Sequence, residues 1–124
     1  MQKAKTVKQK VLLQTEHELH IQCVNWFKLA YGEHAILNHQ ANENPRGTTP
    51  QYNVKMKLLG TKAGFPDLQI FCNAKTILIE LKSLNGKLSE NQVALFRKFQ
   101  AVGFKVHIVR TFEEFRAIVN DFVR

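Results

Sequence analysis

The sequence predicts a single α/β domain in which a central mixed β-sheet is flanked by helices. Short apolar segments lie between longer segments whose apolar residues recur at helical spacing. The predicted order is helix, three strands, helix, strand and helix, which is typical of an α/β sandwich. A chain of 124 residues with 44% hydrophobic residues is long enough for one domain and apolar enough for a packed core.

The first predicted element is a helix over residues 15–31, with Gly32 as its stop. Its apolar residues at helical spacing are Leu19, Cys23, Trp26, Phe27 and Ala30. A short strand is predicted over residues 35–39, and the loop over residues 42–50 contains two prolines and a glycine. In residues 54–59 apolar side chains alternate with lysine, so the sequence leaves the secondary structure of this segment open.

The second half of the sequence predicts a hairpin, a helix, a strand and a last helix. Strands over residues 68–72 and 76–81 are separated only by a short turn at Asn73-Ala74. A helix over residues 89–102 is expected to bury Val93, Phe96, Phe99 and Val102, and a strand covers residues 105–110. Thr111 and Glu114 form a capping-box pattern before a final helix. Its expected inner face comprises Phe112, Phe115, Val119 and Phe122.

Charge and composition limit the classes of partner. The net charge of +8 favours a polyanionic partner, although basic side chains can also be merely solvated. Residues 1–12 are expected to form a basic tail, and residues 13–124 a single domain. No apolar run predicts a membrane span or a signal peptide, so we expect an intracellular protein without membrane partners. Cys23 and Cys72 lack metal-ligand spacing and are expected to be buried, reduced thiols.

The hairpin brings three charged residues onto one face of the predicted sheet. A turn centred on Asn73-Ala74 pairs residues whose numbers sum to 147, so Asp67 lies opposite Glu80, with β-carbons ~5 Å apart. Lys82 is two residues beyond Glu80 and shares its face. The other face is apolar and is expected to be buried: Leu68, Ile70, Ile77, Ile79 and Leu81.

Two interpretations of these three charged residues remain open. Lys82 could form a plain ion pair with Glu80 or Asp67 on a solvated edge. Alternatively, two repelling carboxylates could bind a divalent cation, and oxygen ligands of this kind favour Mg²⁺. A cation at this position could polarise a phosphodiester and ionise an attacking water, while Lys82 orients that water or stabilises negative charge.

The motifs resemble those of a known nuclease family. Gly64-Phe65-Pro66-Asp67-Leu68 and Ile79-Glu80-Leu81-Lys82 resemble the Pro-Asp…(Asp/Glu)-x-Lys signature of restriction-endonuclease-like nucleases. Three further stretches resemble one branch, the virus-type replication-repair nuclease (VRR-NUC) domain. They are Thr15-Glu16-His17-Glu18-Leu19, Asn42-Glu43 with Arg46, and Gly86-Lys87-Leu88-Ser89-Glu90-Asn91-Gln92. The resemblance runs from about Thr15 to the C-terminus and implies a restriction-endonuclease-like core.

The resemblance also implies roles for individual residues. Asp67 and Glu80 would bind the metal, with the Leu81 carbonyl as a further ligand, and Lys82 would assist the attacking water. Glu16 would approach from the first helix. It is preferred over Glu18, because Glu16 shares a face with Leu19 and Cys23; an ordinary first-turn glutamate is the alternative. Gln92 would support Lys82 or the water, although Ser89 and Gln92 also form a capping box that could occupy the amide.

The implied function is metal-dependent endonucleolytic cleavage of DNA, selective for structures such as four-way junctions. Mg²⁺ is the expected cofactor, with Mn²⁺ as a substitute, and no small-molecule cofactor is expected. The expected partners are branched DNA and a second copy of the chain, and a bacterial or phage origin is expected. One alternative is a catalytically weak or inactive nucleic-acid-binding module using the basic surface. A small RNA-binding or interaction domain is another.

Basic residues near the signature are expected to bind DNA phosphates, with a solvated face as the alternative. They are Arg46, Lys55, Lys57, Lys62 and Lys87. The histidines lack a metal-ligand pattern and are expected to lie on the surface, and Trp26 is expected in the core rather than stacked on a base.

Overall fold

The computed structural model describes residues 14–41 and 49–124. The predicted basic tail and Arg46, together with Asn42 and Glu43 of the loop motif, lie outside these residues. The elements alternate as predicted, with one addition. In chain order they are α1 (Glu16–Tyr31), β1 (Ile36–His39), α2 (Pro50–Leu58), β2 (Leu68–Cys72), β3 (Lys75–Leu81), α3 (Glu90–Ala101), β4 (Val106–Val109) and α4 (Phe112–Val123).

The four strands form one mixed sheet in the order β1-β2-β3-β4. The first three strands are antiparallel neighbours, whereas β4 lies parallel to β3 because α3 connects the two strands. The predicted α/β class with a mixed sheet flanked by helices is therefore confirmed.

The hairpin between β2 and β3 has the predicted register. Leu68 pairs with Ile79 and Cys72 with Lys75, so paired residue numbers sum to 147. Both turn residues have positive φ, 51° at Asn73 and 63° at Ala74, which matches the backbone twist of a two-residue hairpin turn. The turn therefore sets which residues oppose each other along the entire hairpin.

The core lies between one face of the sheet and the helices α1 and α4. The hairpin contributes its five predicted apolar residues, which are 8% exposed or less: Leu68, Ile70, Ile77, Ile79 and Leu81. α1 contributes Leu19, Cys23 and Phe27, and α4 contributes Phe115 and Val119. Trp26 contacts the Phe112 and Phe115 rings edge-on, which confirms its predicted packing role. Burying each large aliphatic side chain stabilises the fold by about 1.5–3 kcal/mol.

Both cysteines are buried and free, as predicted. Burial raises the pKa of the Cys23 thiol to about 12, because a thiolate would lose its hydration in this core. The thiol therefore behaves as a small apolar group rather than as a nucleophile.

Two segments differ from the sequence predictions. Residues 50–58 form the helix α2, which is capped by Thr49 and has no buried residue, so its sequence lacks an apolar stripe from which its type could be predicted. In α3 none of the residues is fully buried, and Val102, expected in the core, is 71% exposed at the helix end. Phe96 and Phe99 are half-buried, and Val93 is exposed. The expectation of a buried α3 face was therefore wrong for Val93 and Val102 and holds in part for Phe96 and Phe99, because α3 covers the sheet only partly.

None of the helices in the described ranges combines the length and apolar character that crossing a lipid bilayer requires.

Candidate active site

The hairpin places Asp67 and Glu80 side by side at the end of β2 and β3. Leu68 pairs with Ile79, so the next residues outward are Asp67 and Glu80. The backbone amide of Asp67 donates to Glu80 Oε1 at 3.2 Å, and the amide of Leu81 donates to Asp67 Oδ2 at 2.9 Å. Each carboxylate is thus oriented by the backbone of the opposite strand, which fixes both groups without using flexible side chains.

Glu80 is a buried carboxylate with partners on both oxygens. The residue is only 1% exposed. Its Oε2 accepts from the side-chain Nε2 of Gln92 at 2.9 Å and lies 3.3 Å from Lys82 Nζ. An ion this deeply buried is tolerated only when it is paired and hydrogen-bonded, and Glu80 satisfies both conditions.

Gln92 makes two sets of contacts: the capping box that the sequence offered as the alternative, and a hydrogen bond to Glu80 that was not predicted. The Ser89 hydroxyl accepts from the backbone N–H of Gln92, and Gln92 Oε1 accepts from the backbone N–H of Ser89 at 2.9 Å. These two bonds form the capping box of α3. The Nε2 atom of the same side chain donates to Glu80. Since a carboxamide has a separate acceptor and donor, capping the helix leaves its N–H group available to Glu80.

The structure brings Glu16, and not Glu18, to this pair of carboxylates. One oxygen each of Glu16, Asp67 and Glu80 lies within 4.8 Å of the other two. Glu18 instead forms the capping box of α1, where its Oε1 accepts from the Thr15 hydroxyl at 2.9 Å. The predicted preference for Glu16 therefore agrees with the geometry of the helix start.

The electrostatics of Glu80 are those of a site that favours a cation. Burial, and next to it the neighbouring Asp67 charge, raise the pKa of Glu80 to about 7, while Lys82 acts in the opposite direction. In an octahedral Mg²⁺ site with ~2.1 Å bonds, ligand oxygens are ~3–4.2 Å apart. The three carboxylates need only small side-chain movements to reach that spacing, and a cation would compensate their repulsion. The residues present therefore fit a divalent metal.

The carboxylates open into a cleft of about 720 Å³ between α1, the end of β1 and the hairpin. Besides the predicted residues Glu16, Asp67, Glu80, Lys82 and Gln92, its wall includes His17, His20 and His39. The His20 and His39 rings meet edge-on at 4.5 Å, and His39 Nδ1 lies 3.2 Å from the Asp67 carbonyl. His17 and His39 are exposed, as predicted, and His20 is half-buried. The sequence did not indicate that the three rings line one cleft, because His39 reaches it only through β1.

The segment before Asp67 is held by contacts that the sequence analysis missed. The buried Gln69 donates from Nε2 to the Pro66 carbonyl at 2.9 Å and accepts from Asn38 of β1 at 2.7 Å. Gly64 has φ of +79°, and a β-carbon at this position would lie 2.9 Å from the Gln92 nitrogen. The glycine of the signature thus lets the chain pass directly against the first turn of α3.

The loop from β3 to α3 depends on a second unpredicted residue, Arg110. Its Nη1 donates to the carbonyls of Ser83 and Gly86 at 2.7 Å each and lies 3.2 Å from that of Leu84. The available signal was an arginine directly after a buried strand, which alone does not indicate what the side chain binds.

The remaining predicted residues do not converge on the carboxylates. Lys55, Lys57, Lys62 and Lys87 are exposed and do not line the cleft, where Lys82 is the only lysine among the described residues. The backbone N–H of Leu81 contacts Asp67. A role for its carbonyl stays a prediction.

Comparisons with known proteins agree with the motif and the fold. The family model of the VRR-NUC domain matches residues 4–113. A solved VRR-NUC domain protein is 19% identical with a TM-score of 0.67, and the match covers 89% of this chain and 88% of that chain. A second solved VRR-NUC domain is 17% identical with a TM-score of 0.57, covering 88% and 99%.

No curated protein matches the chain. At these identities the solved structures show a common fold, the α/β restriction-endonuclease-like core. The family model spans most of the chain, and the chain therefore belongs to the VRR-NUC domain family, with its nuclease-type fold.

Proposed function

We propose that this protein is a divalent-metal-dependent endodeoxyribonuclease. The observation that carries the proposal is the convergence of Glu16, Asp67 and Glu80 within 4.8 Å, with Lys82 against Glu80 in the same cleft. Two carboxylates and one ammonium at the open end of the hairpin, with a third carboxylate from α1, are the groups that metal-assisted phosphodiester hydrolysis needs.

Glu16, Asp67 and Glu80 would hold the metal, and the Leu81 carbonyl is a predicted further ligand. A divalent cation at this position would polarise the scissile phosphodiester and lower the pKa of an attacking water. Glu80 is kept in orientation by Gln92 and by the Asp67 backbone N–H. Lys82 lines the cleft beside Glu80, where its ammonium could hold the attacking water.

The donor set favours Mg²⁺ as the cofactor. The group of converging side chains contains only carboxylates, which are the ligands of hard cations, and no thiolate or imidazole belongs to it. Mn²⁺ accepts the same ligands and is expected to substitute.

DNA is the proposed substrate, and branched DNA its preferred form. The net charge of +8 favours a polyanion, and the cleft is open enough for a strand to reach the carboxylates. Two active sites in a symmetric dimer would cut the two strands of a four-way junction. An apolar groove of about 530 Å³ between α1 and β1 supports such a dimer, since Ile36 on the outer strand is 68% exposed beside it.

The test of cleavage uses a panel of duplex, flap, nicked and four-way-junction DNA, with Mg²⁺, Mn²⁺ or a chelator. We expect cleavage only with metal and fastest on the junction. Lys82→Ala should lose about 100-fold or more in rate while still binding DNA, whereas Lys98→Ala, an exposed lysine of α3, should cleave normally. A wild-type protein that binds DNA but cuts no substrate with either metal would instead indicate a binding module.

The test of assembly is light scattering at micromolar concentration, free and with a four-way junction. We expect twice the chain mass of 14.3 kDa. Such an interface typically buries on the order of 1,600 Å² in total. Ile36→Lys places a charge beside the apolar groove and should produce monomers. A free mass of 14.3 kDa together with one chain per junction in the complex would exclude the dimer and favour asymmetric substrates such as flaps.

A further inference from the structure

The loop between β3 and α3 joins two side chains that meet at one carboxylate oxygen. Lys82 directly follows β3, and Gln92 lies in the first turn of α3. Lys82 Nζ lies 3.3 Å from Glu80 Oε2, and Gln92 Nε2 donates to the same atom at 2.9 Å. The conformation of this loop, residues 83–88, therefore sets where both groups stand relative to Glu80.

The start and the end of the loop are fixed by backbone and capping contacts. At the start, the Lys82 N–H donates to the carbonyl of Val109 in β4 at 3.0 Å. At the end, the capping box of Ser89 and Gln92 fixes the first turn of α3. The loop packs tightly in between, since a β-carbon at Gly86 would lie 3.0 Å from Ser83 Oγ and 3.5 Å from the Lys82 stem.

The middle of the loop is held by the guanidinium of Arg110. Its Nη1 reaches three carbonyls, those of Ser83, Leu84 and Gly86, at 2.7, 3.2 and 2.7 Å. Three carbonyl oxygens directed at one point repel each other unless a cationic donor lies between them. Arg110 directly follows Val109, so two consecutive residues hold the loop to the end of the sheet.

We propose that Arg110 is a positioning residue, which holds the β3–α3 loop so that Lys82 and Gln92 both reach Glu80. It acts through these two residues and does not itself contact the carboxylate group. This inference rests on the proposed nuclease function. A misplacement of a catalytic group by ~1 Å can cost ~100-fold in rate, so a clamp on this loop controls catalysis without taking part in it.

The experiment compares Arg110→Ala, Arg110→Lys and the matched control Arg116→Ala. Arg116 is an exposed arginine of α4 that pairs with Glu113 and lies over the Phe112 ring. For each variant we would measure the melting temperature, the Ca²⁺ dissociation constant, kcat and KM on the best DNA substrate, and amide hydrogen exchange of residues 83–88.

For Arg110→Ala we expect kcat to fall ~100-fold, with KM and the Ca²⁺ dissociation constant changed by less than about threefold. The metal-binding carboxylates stand on α1 and the hairpin and should stay in place. Exchange in residues 83–88 should become faster. Millimolar guanidinium, but not NaCl at equal ionic strength, should restore part of kcat. Arg116→Ala should match the wild type.

Arg110→Lys gives a second test if the alanine variant does not fold. Its ammonium has three N–H donors for three carbonyls but a shorter reach, so we expect a kcat between those of the wild type and the alanine variant. The inference is overturned if folded Arg110 variants cleave at the wild-type rate, or if kcat and Ca²⁺ binding fall together with the folded fraction.

The proposed function fails separately, if the wild type itself cuts no DNA. In that case the role of Arg110 in catalysis falls with it, and hydrogen exchange alone decides whether Arg110 holds the loop. If residues 83–88 exchange in the Arg110 variants as slowly as in the wild type, Arg110 does not hold the loop either.

Discussion

The hairpin of β2 and β3 and the helix α2 both carry charged residues, but they hold them in opposite ways. Glu80 is 1% exposed and hydrogen-bonded on both oxygens, at the end of strands whose inner face is fully packed. Lys55 and Lys57 stand on a helix without a single buried residue. The comparison teaches that the apolar core fixes the position of the proposed catalytic charges, whereas exposed charges contribute electrostatic attraction without a fixed geometry.

The largest expected effect comes from removing a charge inside the hairpin. Asp67→Asn and Glu80→Gln keep the shape of the side chain but remove a carboxylate of the proposed metal site, so cleavage should fall about a thousandfold or more. DNA binding should persist or improve, because repulsion of phosphates decreases. Gel-shift assays in Ca²⁺ and cleavage rates in Mg²⁺ would measure the two effects.

The matched control is Asp121→Asn, an exposed aspartate of α4. It should leave cleavage unchanged. If both hairpin variants cleave DNA in Mg²⁺ at the wild-type rate, the metal-site hypothesis is wrong.

The next largest effect is expected at the glycine that supports the hairpin. Gly64→Ala introduces strain of about 1–2 kcal/mol at φ +79° and a 2.9 Å contact with the Gln92 nitrogen, which must push α3 away. Gly60→Ala has similar strain at φ +96° but no atom within 4 Å of the added carbon. Both variants should lower the free energy of unfolding, and only Gly64→Ala should also lower kcat, by about tenfold.

Measuring urea unfolding together with single-turnover cleavage separates the two contributions. Equal kcat values for the two glycine variants would mean that the contact between residue 64 and α3 does not position the site.

A moderate effect should follow from pH, because Glu80 titrates inside the site. Its pKa is raised to about 7, so folding disfavours the carboxylate relative to the unfolded chain. Without metal, this group should lower stability as pH rises from about 4.5 through 7, and a bound cation should remove the loss. Ca²⁺ affinity should therefore fall up to tenfold per unit as pH drops below about 7.

Thermal unfolding at pH 5.5, 7 and 8.5, with and without Ca²⁺, would test this dependence. The stabilisation by Ca²⁺ should increase with pH in the wild type and be weak and flat in Glu80→Gln. A Ca²⁺ effect in the wild type that is independent of pH would contradict the assignment to Glu80.

The smallest effect is expected on α2. Replacing Lys55 and Lys57 with Gln should reduce the slope of log affinity against log salt by up to about 1.8, with kcat unchanged. The matched control replaces Lys75 and Lys105, which are exposed at the end of the sheet away from Glu80. Equal slopes for the two double variants would show that the lysines of α2 contribute only to the general positive charge.

The sequence was sufficient to predict the hairpin because a period-two apolar pattern and a two-residue turn determine a register. The same register brought Asp67 to Glu80. Glu16 followed from a helix face shared with core residues, and the structure places it within 4.8 Å of both. The hairpin register and the position of Glu16 were predictable because the local apolar pattern shows which face of each element is buried.

Other parts depended on contacts between distant segments, which no local pattern contains. β1 brings His39 to His20, and β4 brings Arg110 to the loop after Lys82. The type of residues 50–58 and the burial of Val102 were missed for a related reason. An apolar residue indicates that burial is favourable, but the extent of α3 over the sheet decides whether burial happens.

The turn at Asn73 and Ala74 also constrains how this chain can vary by insertion or deletion. If the turn keeps two residues, adding or removing one residue there would shift the pairing that places Leu68 against Ile79. A one-residue slip in a strand exchanges its two faces. Asp67 would then turn toward the packed interior while an aliphatic neighbour took its place in the cleft. Length changes at this tip, ~16 Å along the strand from the carboxylates, should therefore be tolerated only where the new loop keeps Leu68 paired with Ile79.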